Sequence, residues 1–182
     1  SDCVARRLQA QWPDALIVHR LDMSTSGLMV FARGLAAQRR LSQAFERREV
    51  DKTYVAVVAG QLEAASGSID LPLGCDWPNR PRQQVDAVRG RPALTHWLRV
   101  DTDTGPQAEA DTSRVELHPV TGRSHQLRVH LAAIGHPILG DALYASDAVR
   151  ALAPRLLLHA SQLVLPHPVS GERLPFNDPA PF

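Results

Sequence analysis

Residues 19–27 read His19-Arg20-Leu21-Asp22-Met23-Ser24-Thr25-Ser26-Gly27, a polar segment between two apolar runs, Ala15-Leu16-Ile17-Val18 and Leu28-Met29-Val30-Phe31-Ala32. No other pattern in the chain constrains the fold as much. The apolar runs have the length and composition of strands, so the segment between them must surface as a loop; buried, it would leave backbone groups unpaired. Arg20 and Asp22 are two apart and point to the same side of an extended chain. A neighbouring cation lowers the pKa of a carboxylate, and an ionised carboxylate on a firmly held loop can act as a nucleophile. Local chemistry taken alone favours a plainer reading, a hairpin turn made of Asp, Ser, Thr and Gly.

The remaining periodicities describe a mixed fold. Helices are predicted over 4–11 and 36–48; in the second, Leu41, Ala44 and Phe45 share one face, with Arg39, Arg40, Arg47 and Arg48 largely off it. A third helix is predicted over 124–134, capped by Ser124, stopped by Gly135 and Pro137, with Leu127, Leu131 and Ile134 toward the core. Strands are predicted over 16–19, 28–33, 53–59, 95–100, 114–117, 156–165 and 174–176. Residues 61–91, rich in Gly, Pro, Asp and Arg, read as loops with short strands, and the polar stretch 101–112 as a surface hairpin. Strands outnumber helices without alternating as βαβ units, which indicates an α+β fold with a mixed, mainly antiparallel sheet.

At 182 residues, 44% of them hydrophobic, the chain suits one domain, or two small subdomains on a shared core, and is too apolar for disorder. No run approaches the about 18 apolar residues of a membrane span, and no secretory signal follows the first residues. Cys3 and Cys75 give no disulfide framework and fit a reducing cytoplasm. The histidines are scattered and neither cysteine has a partner at ligand spacing, so no metal is expected. A net charge of +1 is modest for a nucleic-acid binder, but the charge is clustered: Arg39, Arg40, Arg47 and Arg48 in one group, Arg80, Arg82, Arg89 and Arg91 in another. Lys52 is the single lysine. Arginine suits phosphate forks and base stacking better than lysine, although a compositional bias toward arginine accounts for the count equally well.

The full string His-Arg-Leu-Asp-x-x-Thr-Ser-Gly at 19–27 resembles the signature of the RluA-type pseudouridine synthases. A second block, Arg114-Val115-Glu116-Leu117-His118-Pro119-Val120-Thr121-Gly122-Arg123-Ser124-His125-Gln126-Leu127-Arg128-Val129-His130, resembles a later motif of that family, and Lys52-Thr53-Tyr54 resembles the segment with its active-site tyrosine. The resemblance implies a mixed, largely antiparallel sheet with peripheral helices and a cleft between two subdomains. It implies isomerisation of uridine to pseudouridine in RNA, with neither metal nor organic cofactor. Asp22 is then the catalytic residue, attacking uracil C6 or acting at ribose C1′; the two stay open.

Tyr54 is implied to stack on the target base and to serve as an acid or base; without the family it is an ordinary aromatic residue on a half-buried strand. Arg123 is implied to pair with Asp22 across the cleft; as a loop residue alone it is equally a solvated side chain or a phosphate contact. Arg20 is implied to fill the gap left when the uridine leaves the stack. His19, Thr25, Arg128 and Arg80 are expected on the RNA side, Arg128 with a structural role as the alternative. His125 and His130 fall on different helical faces, which favours satisfied structural histidines over a metal pair.

The family's Lys-Pro-x-Gly motif is missing upstream of the Asp loop, so the chain is expected to be a single catalytic domain over 1–182, truncated at its N-terminus and lacking an S4-type RNA-binding domain. The stretch Leu71-Pro72-Leu73-Gly74-Cys75-Asp76-Trp77-Pro78-Asn79-Arg80-Pro81 resembles the subgroup acting on tRNA anticodon stem-loops and a 23S ribosomal RNA hairpin. A cytoplasmic monomer is expected. Two other functions stand beside isomerisation: a glycosidic-bond hydrolase, disfavoured because the Asp loop holds no second carboxylate, and a non-catalytic RNA-binding module.

Overall fold

A computed structural model of the chain describes residues 3–100 and 111–182. Most of the hairpin expected over 101–112, namely residues 101–110, lies outside the described residues. The elements run α1 (Val4–Gln11), β1 (Ala15–Ile17), β2 (Ser26–Gly27), β3 (Phe31–Arg33), α2 (Gly34–Glu46), β4 (Asp51–Ala59), β5 (Ser66–Asp70), β6 (Leu73–Cys75), a 3-10 turn (Trp77–Asn79), β7 (Gln83–Val85), β8 (Leu94–Val100), β9 (Thr112–Pro119), α3 (Gln126–Ala133), α4 (Asp147–Ala151), β10 (Leu158–Pro166) and β11 (Arg173–Asn177).

Six strands form one sheet in the order β11-β10-β4-β9-β8-β5, with every neighbour antiparallel. β2 joins as a seventh, parallel to the start of β10, with Ser26 opposite His159 and Gly27 opposite Ala160. One edge of β10 therefore takes two partners in turn, β2 and then β11. The pairs β1–β3 and β6–β7 stand apart as small antiparallel sheets. The expected α+β class, with a mixed and mainly antiparallel sheet, is what the chain adopts.

Two of the apolar clusters pack on this sheet. The larger joins Val57 and Val58 of β4, Val115 and Leu117 of β9, Leu158 of β10 and Leu127 and Leu131 of α3. The smaller packs Leu41 and Ala44 of α2 against Ala32, Val50, Leu163 and Leu165. Each fully buried Leu or Val contributes about 1.5–3 kcal/mol relative to exposure.

Of the helix boundaries that differ from the sequence reading, two have clear local reasons. The second helix ends at Glu46, because Arg48 takes φ 61°. Its N–H then bonds the Phe45 carbonyl, and the Glu49 N–H bonds that of Ala44. This is the helix stop usually made by glycine, here made by arginine. The third helix starts at Gln126 rather than 124, and His125 precedes it with φ 55°. Six successive residues, Gln126 to Leu131, are buried, while Ile134 stays exposed. The helix is enclosed between the sheet and the β6–β7 hairpin, so it has no solvent face there.

Candidate active site

The Asp22 loop is fastened at both ends by residues of its own motif. The Val30 N–H donates to His19 Nε2 at 3.0 Å, and the imidazole stacks on Phe45 of α2 with centroids 4.6 Å apart. Accepting at Nε2 places the ring proton on Nδ1. Burial, then the nearby Lys52, lower the His19 pKa to about 4, so it is neutral at physiological pH. At the other end the Ser26 hydroxyl meets His159 Nδ1 at 2.9 Å and the Arg155 guanidinium. Gly27 lies flat on β10 at φ +106°, where a Cβ would stand 2.3 Å from the Ala160 carbonyl oxygen. Only glycine fits. Between these anchors the Thr25 N–H donates to the Asp22 carbonyl at 2.9 Å, closing a tight turn.

Arg20, Leu21, Asp22 and Thr25 thereby line one wall of a cleft of about 900 Å³. That volume lies within the usual range for ligand sites. Phe45 and Val50 of the smaller apolar cluster and Leu127 and Leu158 of the larger one also line it. Lys52 and Tyr54, alternate residues on one face of β4, reach the same space. The opposite wall is the turn Thr121-Gly122-Arg123, and Gln126 sets its shape. The Gln126 Oε1 accepts from the Thr121 hydroxyl at 2.7 Å and from the Arg123 N–H at 3.0 Å, while its Nε2 donates to the Leu94 carbonyl and Thr95 hydroxyl, both at 3.0 Å.

The cleft is cationic apart from Asp22 and the acidic side chains of Glu46 and Asp51 at its rim. Arg20, Arg48, Lys52, Arg91 and Arg123 all line it. Burial, then Arg48, lower the Lys52 pKa; burial, then Arg91 and Arg48, do the same to Arg123. Burial, then the Asp22 carboxylate, raise the Tyr54 phenol to about 12, so it stays protonated at neutral pH. A neutral phenol can donate a proton and stack on a base, but it supplies no phenolate. Arg48 and His125 are the two non-glycine residues with positive φ among the described residues. One lines the cleft and the other directly follows its far wall, as backbone strain gathered near a functional site would have it.

The structure brings His19, Arg20, Asp22, Thr25, Tyr54 and Arg123 to one cleft. It departs from the sequence reading in two respects, the Asp22–Arg123 pair and Arg128, and it sets Arg80 apart from the cleft. No ion pair joins Asp22 to Arg123: the Arg123 Nε donates to the Pro92 carbonyl at 3.1 Å, and its charged neighbours are Arg91 and Arg48. Arg128 does not face RNA. It is 4% exposed and grips the wholly buried Asp141 through two bonds, at 2.8 and 2.7 Å. Burial works against that carboxylate, but Arg128 and the Leu143 and Tyr144 amides outweigh it and hold the Asp141 pKa below the usual range. Arg80 lies outside the cleft, its guanidinium 4.9 Å from the centre of the Trp77 ring.

His130 is a satisfied core histidine. Thr95 accepts from Gln126, so its hydroxyl proton goes to His130 Nδ1 at 2.9 Å, and His130 Nε2 donates to the Leu71 carbonyl at 3.0 Å. Arg48 and Lys52 also line the cleft, beyond the site residues the sequence marks. Lys52 was detectable as the same-face neighbour of Tyr54, whereas Arg48 gave no signal beyond a helix end without glycine.

Known proteins share much of this sequence and this fold. Residues 4–133 match the RNA pseudouridylate synthase family. The chain is 52% identical over 181 residues to the dual-specificity RNA pseudouridine synthase RluA of Escherichia coli K12, covering all of this chain and 80% of that protein. It is 49% identical to the protein of the same name from Yersinia pestis, with 85% of that protein covered. Among solved structures, human RNA pseudouridylate synthase domain containing 1 superposes with a TM-score of 0.83 at 32% identity, over 97% of this chain and 74% of that one. These likenesses do not favour the hydrolase or the non-catalytic binding module. With half its residues shared over its full length and a solved relative following the same sheet, the chain belongs to the RNA pseudouridylate synthase family, as an RluA-type isomerase acting on RNA.

Proposed function

We propose that this chain isomerises uridines in the anticodon stem-loop of tRNA and in a hairpin loop of 23S ribosomal RNA, as a cytoplasmic monomer without metal or organic cofactor. The described residues act as one catalytic domain. The dual specificity named for its relatives supports two RNA substrates rather than one. The observation that carries the mechanism is Asp22 at the tip of a doubly anchored loop, facing a cationic cleft shared with Tyr54.

Asp22 is the nucleophile. In the reaction the N1–C1′ bond breaks, the base turns, the C5–C1′ bond forms, the C5 proton leaves and N1 takes up a proton. Attack by Asp22 at C6 or at C1′ fits the same geometry. Tyr54 stacks on the base and remains a neutral phenol. Arg20, exposed beside Asp22, stacks into the gap the flipped nucleotide leaves. Thr25 and the neutral His19 shape the loop on the RNA side, and Arg123 with Arg48 and Lys52 holds backbone phosphate.

The test is tritium release from RNA carrying 5-tritiated uridine, with the product RNA examined for strand integrity. Release with the base still attached is the expected result. No release, or abasic sites in place of pseudouridine, overturns the reading.

A further inference from the structure

We propose that Trp77 and Arg80 form a second RNA subsite, a platform on which one unpaired base stacks outside the catalytic cleft; this rests on the RNA-modifying function proposed above. Trp77 opens the 3-10 turn between β6 and β7 and is 69% exposed. Leaving so large a ring in water forgoes apolar burial that a folded chain ordinarily gains. The Arg80 guanidinium covers one side of the ring at 4.9 Å, and the exposure lies on what remains. A ring backed by a guanidinium and open in front matches the face of a nucleobase.

The platform is held firmly. At the hairpin tip the Asn79 amide donates to both carboxylate oxygens of Asp76, at 3.1 and 3.0 Å, and the Asp76 and Arg82 amides bond across to the Arg82 and Asn79 carbonyls at 3.0 Å each. At its stem the Gln83 N–H donates to the Tyr144 hydroxyl at 2.8 Å, which leaves that hydroxyl to donate to His125 Nδ1 at 2.6 Å. His125 stands two residues after Arg123. Arg82 and Arg128 lie over the Tyr144 ring at 5.5 and 5.0 Å. The hairpin is thus tied by a short chain of hydrogen bonds to the wall of the cleft.

Charge selects the occupant. Over 76–91 the hairpin carries Arg80, Arg82, Arg89 and Arg91 against Asp76 and Asp86, and Arg91 also lines the cleft. A cationic surface continuous with the cleft suits the backbone of the same RNA, whose loop bases are free to stack. An apolar peptide would have no use for it.

Affinity for a fluorescein-labelled RNA stem-loop, read by anisotropy, tests this with the whole chain. Trp77→Ala is expected to weaken binding about tenfold or more, and Trp77→Phe to recover most of the loss. A stem-loop with one abasic loop position should bind the wild type as weakly as Trp77→Ala binds intact RNA, and should lose nothing further on Trp77→Ala. Equal urea midpoints for the variants exclude a folding defect as the cause. Unchanged affinity of Trp77→Ala overturns the platform, as does full additivity with every abasic position. Tritium release by the wild type is scored separately, so failure of the platform and failure of the function remain distinct.

Discussion

The two motif-bearing walls of the cleft use their polar residues in opposite ways. In the loop at 19–27, His19, Ser26 and Gly27 fasten the backbone, while Arg20, Asp22 and Thr25 are left facing the cavity. In the stretch 121–130, Gln126, Arg128 and His130 turn inward, each fully partnered, and the cleft receives Arg123 with the turn that carries it. Both motifs hold charged and hydrogen-bonding side chains in similar density. The difference is enclosure: the loop rests on β10 and α2 with Arg20 left exposed, whereas Gln126 to Leu131 of α3 are all buried. Cleft-facing polar residues thus predominate on the first wall, and polar residues that hold the architecture on the second.

If the contrast holds, removing function from the loop leaves the fold alone. Asp22→Asn keeps the shape and loses the charge, so single-turnover isomerisation should fall at least about a thousandfold with RNA affinity and urea midpoint unchanged. The second wall should respond in the other currency. Arg128→Met strands the Asp141 carboxylate and should destabilise by about 3–5 kcal/mol in urea unfolding, and Arg128→Met with Asp141→Leu should recover part of it. Weaker RNA binding at unchanged stability would instead return Arg128 to the RNA surface. Gln126→Leu should cost about 2–4 kcal/mol, since the Thr121, Arg123 and Leu94 groups lose their partner. It should also slow turnover by loosening Arg123.

The smallest effect lies in the loop. His19 has its pKa near 4 when folded, against 6.5 ordinarily. Above about pH 6.5 it is neutral in both states and adds no pH dependence. As pH falls from 6.5 toward 4, the unfolded chain binds a proton that the folded chain does not, and stability drops, by at most about 2 kcal/mol for this half-buried ring. His19→Gln keeps an acceptor for Val30 without titrating and should flatten that part of the urea-midpoint profile. The remaining slope belongs to His125 and His130, which are also lowered, first by burial, and near pH 4 to the lowered carboxyls Asp141 and Asp86. An unaltered profile would show that His19 is not the buried anchor described.

The same contrast explains what the sequence disclosed. The Asp loop and its flanking strands were legible because polar and apolar residues segregate there along the chain. The face of α2 was legible because Leu41, Ala44 and Phe45 follow a helical spacing. Arg128 was not, because its partner Asp141 stands thirteen residues later on a separate turn. Nothing in a charge pattern distinguishes a buried guanidinium from an exposed one. Neither was the early end of α2, because it turns on one arginine in a left-handed conformation. The Asp22–Arg123 pair rested on the family resemblance and on the reach of the side chain, and neither foresees the Pro92 carbonyl as a competing acceptor.

The most direct test of the two-wall account pairs the single-turnover rate of Asp22→Asn and Arg128→Met with the urea midpoint of each, at a temperature where both are folded. The account predicts a crossing: Asp22→Asn without measurable pseudouridine at the wild-type midpoint, and Arg128→Met with a lowered midpoint and most of its rate. Isomerisation retained by Asp22→Asn, or lost by Arg128→Met at an unchanged midpoint, would contradict it.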